Sequence, residues 1–385
     1  MNRFKAKVIN YGRQSISIRD VISVARTLQG ELITNGPEVS KFEEELSSYI
    51  GEETFVVSSG TAALHCIFQA LELEPGDEVI TPSITFIATQ ATAMLSGAKI
   101  VFADVHPLSG LIDITSVLKK VTSRTKAIVA VDFAGVPCEL DTLMKLCRSK
   151  GIYLIEDAAH SLGATYKGIK VGSIADATAF SFFPTKNMTT GEGGAVSSGN
   201  IELFKKAKRF ARQGVIREKD SFQLPFEGSW HNEFHTFGLN YRLTDVMASL
   251  GRSQLRRFPE FVEKRRAISS HYVKHLSDIE GLVMPSIPQH LTPNWHFFPI
   301  LVPAPFRTQI YEEFHKNSIK VQINYIPVHW QPVFRSLKHK ILECPSANEF
   351  YSQEISLPVH TKLTRQNLKQ IVSTTTRIFR QLKEW

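Results

Sequence analysis

Between residues 54 and 199, short apolar runs alternate with stretches of helical spacing. Phe55 to Val57 is a β-branched run that stops at Ser58, and a helical pattern opens after Gly60 and carries to about Leu73. The alternation recurs in "DEVITPS" (77–83) before a helix at 86–96, in "AKIVFADV" (98–105), and in "TKAIVAVDFAG" (125–135) before a helix at 140–150. It continues through "IYLIEDAAH" (152–160), "ATAFSFF" (177–183) and "GGAVSSG" (193–199), followed by a helix at 201–213. These strands are nearly continuous in apolar residues, as strands buried on both faces are. Alternated with helices, they predict an α/β fold built on a mostly parallel sheet covered on both sides.

Two helical patterns precede the sheet. One spans 17–29 (Ile18, Val21, Ile22, Val24, Ala25, Leu28) and the other 38–50, with the breakers of "TNGPEV" between them. Residues 214–240 read as loop, rich in aromatics and histidine. A long helix is predicted over 246–277. Beyond it lie shorter elements: "HFFPILV", "IKVQINY" and "ISLPVH" as strands, and a last helix near 364–383. The predicted division is a large domain over 1–254 and a smaller α+β domain over 255–385.

The 385 residues are 43% hydrophobic and 21% charged, ordinary for a globular protein with a sizeable core. Cys66, Cys138, Cys147 and Cys344 show neither C-x-x-C pairing nor zinc-ligand spacing, so no metal site is expected, and buried thiols in a reducing cytoplasm are. The opening "MNRFKAKVIN" is basic without an apolar core, and no run approaches the length of a membrane span. A net charge of +8 suits an anionic partner. The densest basic stretches (204–213, 256–266) read as solvated helix faces, and no nucleic-acid motif accompanies them.

In parallel sheets ligands bind at the carboxyl ends of the strands. "SSGTA" (58–62), "EDAAH" (156–160) and "SFFPTK" (181–186) all fall there. Asp157 either caps a helix beginning at Ala158 or aims a charge at a ligand. An acid and a lysine on neighbouring strand ends suit pyridoxal 5'-phosphate. Lys186 would form a Schiff base with the aldehyde, and Asp157 would pair with the pyridinium nitrogen. The helix opening at Gly60 offers N–H groups to a phosphate, with Ser59, Thr61 and Ser181 as hydroxyl donors. Phe86 in "SITFIAT" is placed to lie on the ring. Taken singly, each has a plain structural reading: a surface loop lysine for Lys186, a helix cap for Asp157 and the hydroxyl residues, and core for Phe86.

In combination, "SSGTAALH", "GDEVITPSITFIAT", "GAKIVFADV", "TKAIVAVDFAG", "LIEDAAHSLGA", "FSFFPTKNMTTGEGG" and "LNYRLTDVMASLGRSQL" resemble the DegT/DnrJ/EryC1/StrS family of sugar aminotransferases, over nearly the whole chain. The resemblance implies the aspartate aminotransferase fold (fold type I) and a pyridoxal phosphate cofactor. Lys186 stands at the Schiff-base position, where dehydrating members have histidine, so transamination is expected over dehydration. Asp157 matches the pyridinium partner, His160 a contact on the phenolic-oxygen side, and Phe86 the stacking aromatic. Gly60, Thr61, Ala62 and Ser181 match phosphate contacts. Asn240 matches an asparagine that reaches the phosphate from the partner subunit, with Arg242 beside it, so a homodimer with a shared site is implied.

The implied reaction moves an amino group from L-glutamate to a nucleotide-linked keto sugar. "INYGRQSI" and "IKVQINYIPVH" are similar to the branch that aminates a UDP-linked 4-keto-6-deoxy N-acetylhexosamine, although that branch usually has His where this chain has Asn324. Phe183 likewise stands where relatives often have His. Tyr11, Tyr325 and His329 are candidate substrate contacts; for each tyrosine a packed aromatic with a satisfied hydroxyl is the other reading. A non-catalytic cofactor-binding regulator would need an added DNA-binding module, which is not visible. A nicotinamide-binding protein would need a G-x-G-x-x-G turn, which is also missing.

Overall fold

The structure, a computed structural model, describes residues 8–336 and 344–382. The first seven residues of the basic opening stretch and residue 383 of the last predicted helix lie outside the described residues. A seven-stranded sheet organises the chain: β1 (Thr54–Val57), β2 (Glu78–Pro82), β3 (Lys99–Ala103), β4 (Thr125–Val131), β5 (Tyr153–Asp157), β6 (Ala177–Ser181) and β7 (Gly194–Ser197). Their spatial order is β1-β7-β6-β5-β4-β2-β3. Neighbours from β6 to β3 run parallel, and β7 is antiparallel to both β1 and β6. β1, β2 and β7 are buried at every position, which is why their sequences show no polar alternation.

Helices cover the sheet. Gly60–Ala70, Ala88–Leu95, Leu140–Lys150 and Ile201–Phe210 occupy the segments read as helical, with shorter ends at Ala70 and Phe210. The helix Ile114–Lys120 has no counterpart in the sequence reading; Asp113 caps it with bonds to the Thr115 and Ser116 amides. The expected long helix over 246–277 is two helices, Asp245–Arg256 and Phe258–Leu276. Pro259 explains the break, because its ring removes an N–H and would clash with the carbonyl four residues earlier.

In the last third, Phe298–Leu301 pairs antiparallel with Glu354–Leu357. Helices Arg307–Lys316, Pro345–Gln353 and Arg365–Gln381 flank the pair. "IKVQINY" is not a strand. Two single bridges, Ile319 to Ile9 and Gln322 to Ser356, tether it in place. One buried apolar cluster runs from the sheet into this last third, joining Ile128 and Phe133 to Phe297, Phe350 and Ile371. All four cysteines are free and buried, and burial pushes the Cys66 thiol up to about 12. Among the described residues no helix is long and apolar enough to cross a membrane.

Candidate active site

The sheet delivers three strand ends to one place. β5 ends at Asp157, and its parallel neighbour β6 ends at Ser181 and leads into the loop that carries Lys186. β1 lies beyond β7 and leads through Ser58 and Ser59 to the helix at Gly60.

Asp157 is 7% exposed. Its Oδ2 accepts the Thr89 hydroxyl at 2.7 Å and its Oδ1 the Ala159 amide at 3.2 Å. No helix begins at Ala158, so the helix-cap reading falls, although the carboxylate does hold the following turn. Burial raises the Asp157 carboxyl, while Thr89, Ala159 and the Lys186 charge pull it back. Burial pushes the Lys186 ammonium down to about 8, and Asp157 opposes that shift. Among the described residues the Lys186 Nζ has neither a hydrogen bond nor an ion pair, which leaves the amine available.

His160 is nearly buried. Its ring stacks on His296 with centroids 4.6 Å apart, and its Nε2 lies 3.3 Å from the Tyr325 hydroxyl. Burial and the Lys186 charge hold this imidazole well below its ordinary range, so it is neutral at physiological pH. Tyr325 in turn meets Phe86 edge-on at 6.2 Å, and Phe86 remains 60% exposed past the end of β2. Tyr11 joins the same wall by accepting from Asn324 Nδ2 at 2.6 Å.

The start of the helix at Gly60 is tightly packed. A Cβ on Gly60 would come within 2.8 Å of the Ser181 Cβ, so only glycine lets the helix start approach that hydroxyl. Ser59 Oγ already accepts the Ala62 amide at 3.0 Å. That amide is therefore spent on the cap, and the first-turn amides of Gly60 and Thr61, which have no carbonyl partner within the helix, are the ones left for an anion.

The other three residues singled out make contacts of their own. His329 is 3% exposed and engages Ser83 Oγ through Nδ1 at 2.5 Å, a buried contact behind the site. Asn240 bridges to Arg212, and Arg242 bridges to Val57 while donating to Gln213 at 3.2 Å. Arg242 also lines a cavity of about 600 Å³ together with Lys208, Arg209, Arg212 and Arg217.

Several supports were not anticipated from the sequence. Thr89 orients Asp157 from one turn beyond Phe86. Asn187, next to Lys186, donates to the carbonyls of His160, Leu162 and Asn294 and so ties three segments together. Arg265 is 2% exposed, and among the described residues it forms no ion pair with a carboxylate. Its guanidinium donates to the carbonyls of Trp295, His296 and Val359 and, at 3.1 Å, to that of Lys186. Only its spacing from Phe261 and Ile268 on one helix face could have marked it as buried.

These groups suit a phosphorylated aldehyde with a basic ring nitrogen. Asp157 offers a buried carboxylate for the ring, Lys186 an unpaired amine for the carbonyl carbon, and the Gly60 helix start a cradle for the phosphate. The DegT/DnrJ/EryC1/StrS aminotransferase family model matches residues 15–376. The UDP-4-amino-4,6-dideoxy-N-acetyl-beta-L-altrosamine transaminase of Campylobacter jejuni is 34% identical, over 98% of this chain and 99% of its own. Helicobacter pylori PseC, an aminotransferase involved in the biosynthesis of pseudoaminic acid, superposes with a TM-score of 0.90 at 31% identity, covering 97% of this chain and 100% of that one. The PLP form of Streptococcus pneumoniae Spr1654 superposes equally well, at 0.90 and 29% identity, covering 97% of this chain and 99% of its own. The chain belongs to the DegT/DnrJ/EryC1/StrS aminotransferase family, whose enzymes work with pyridoxal phosphate.

Proposed function

We propose that this enzyme transfers an amino group from L-glutamate to a nucleotide-linked 4-keto-6-deoxy hexose, producing a 4-amino sugar for a surface glycan. The observation that carries the reading is the unpaired, pKa-depressed Lys186 amine facing the buried Asp157 carboxylate at adjacent strand ends. Pyridoxal phosphate, when bound, supplies the electron sink that makes the donor's α-hydrogen removable. The chain's own residues do the rest. Asp157, fixed by Thr89, balances a positive ring nitrogen. Gly60, Thr61 and Ser181 hold the phosphate. Phe86 and the neutral His160 confine the ring. Lys186 Nζ takes and returns the proton, a task that an amine near pH 8 performs far better than one near 10.5.

The sugar substrate is read from the relatives of known activity and from the Tyr11–Tyr325 wall. Among the described residues Asn240 and Arg242 share no hydrogen bond or ion pair with Lys186 of their own chain, bonding instead to Arg212, Val57 and Gln213. Beside them Phe234 and Phe237 are exposed. This suits a homodimer in which each copy completes the other's site, and the basic excess suits a diphosphate-bearing substrate.

The test is the absorption spectrum of the purified protein before and after adding L-glutamate. A visible cofactor band that glutamate shifts to the amine form is expected, and keto sugars then follow as acceptors. A bound cofactor that ignores glutamate would remove the donor assignment. Failure to bind the cofactor at all would remove the role given to Lys186.

A further inference from the structure

The wall that carries Tyr325 is anchored by a carboxyl group outside the site. Glu354 opens the strand Glu354–Leu357 and is completely buried. Its Oε2 accepts the Asn324 amide at 2.8 Å, and its Oε1 accepts the Ser356 hydroxyl in a short bond. Asn324 Nδ2 donates to Ser356 Oγ at 2.9 Å and to the Tyr11 hydroxyl at 2.6 Å. The next residue is Tyr325, whose hydroxyl meets His160. One carboxyl group thus fixes Asn324 by backbone and side chain together, and through it two tyrosines that are far apart in sequence.

An acid in this position needs an explanation. The strand pair Phe298–Leu301/Glu354–Leu357 forms its ladder through backbone groups, and a buried carboxyl is costly even when, as here, Asn324 and Ser356 satisfy it, so an apolar residue would serve the ladder as well. The charged and titratable groups around it are the Arg307 guanidinium and the phenols of Tyr11 and Tyr325. Arg307 is itself engaged by the Tyr351 carbonyl and lies 4.5 Å over the Tyr351 ring.

We propose that Glu354 is a positioning residue for the acceptor sugar, setting Tyr11 and Tyr325 through Asn324 while leaving the glutamate half of the reaction untouched. The inference rests on the acceptor reading above. Burial pushes the Glu354 carboxyl up to about 8. Below that pH the group is mainly neutral, with Oε2 still accepting from the Asn324 amide and the acid proton lying in the bond between Oε1 and Ser356 Oγ. Above it a buried negative charge faces two phenols, and the wall binds the sugar less well.

The experiment compares holoenzymes of wild type, Glu354→Gln and Glu354→Ala, using a UDP-linked 4-keto-6-deoxy N-acetylhexosamine as the acceptor probe. The glutamate half-reaction is read from the cofactor spectrum, and KM and kcat for the sugar are read from about pH 6 to about pH 10. In wild type the sugar KM rises above about pH 8, whereas Glu354→Gln, a neutral group of the same shape, stays flat. Glu354→Ala raises KM ~10-fold at every pH, as expected when a polar contact network loses its anchor. The glutamate half-reaction stays within about two-fold in all three. An alkaline KM limb that survives in Glu354→Gln overturns the proposal, as does a wild-type KM in Glu354→Ala. A wild type that accepts the amino group from glutamate but passes it to no keto sugar sinks the acceptor reading, and this inference with it. A wild type that aminates the sugar, beside an indistinguishable Glu354→Ala, sinks the inference alone.

Discussion

The proposed role of Lys186 asks a buried cation to act as a base. Because burial lowers its pKa, the uncharged amine is populated well below the usual lysine range. In cofactor-free protein, labelling of Lys186 by an amine-reactive reagent, followed by peptide mass spectrometry, is expected to rise through about pH 8. A midpoint near that of ordinary lysines, about 10.5, would contradict the burial described here. Asp157→Asn removes the group that holds the ammonium charged, so the midpoint moves lower still, and cofactor retention weakens. Lys186→Ala abolishes the visible band that glutamate bleaches. Asp157 and Lys186 were legible in the sequence because one closes a buried strand and the other lies just beyond the next, where a charged residue is conspicuous. Thr89 was not. Its role depends on a bond to a residue 68 positions away, and nothing local distinguishes it from other helix threonines.

Between elements, the supports of the site are bonds to backbone carbonyls. Arg265 grips four carbonyls from three segments and keeps its charge at neutral pH, although burial lowers it to about 10. Arg265→Met leaves those carbonyls without a donor, and the thermal midpoint should fall by the equivalent of about 3 kcal/mol, with Arg265→Lys recovering part of it. A Gly60→Ala methyl would meet Ser181 at the mouth of the cradle. Overpacking of this kind costs ~1–3 kcal/mol, and the expected outcome is weakened cofactor binding in an equilibrium titration. A Gly60→Ala protein with unchanged affinity would place the phosphate elsewhere. The seven sheet strands could be read from the sequence because burial on both faces writes continuous apolar runs. "IKVQINY" carries an equally strong strand signal, yet it is tethered by the single bridges of Ile319 to Ile9 and of Gln322 to Ser356. The break at Arg257 was visible in Pro259 but was outweighed by apolar spacing on either side of it.

For the whole molecule, the shared-site reading makes a prediction that no single chain can satisfy. Lys186→Ala and Asn240→Ala are each expected to be inactive as homodimers. Mixed under conditions that exchange subunits, they should regain activity, because one site in each hybrid pairs an intact Lys186 with an intact Asn240. No recovery, with exchange confirmed by mass, would confine each site to one chain. Phe237→Glu on the fully exposed tip beside Asn240 should shift sedimentation toward the monomer.

The burial of Cys66, Cys138, Cys147 and Cys344 has a practical corollary. With every native thiol shielded and, at Cys66, Cys138, Cys147 and Cys344 alike, made harder to ionise, the folded enzyme offers little background to maleimide dyes. A single reporter cysteine introduced at an exposed position outside the Phe237 contact, such as Leu118, could therefore carry a fluorophore without prior removal of any natural cysteine, and the approach of two copies could be followed by energy transfer as they meet.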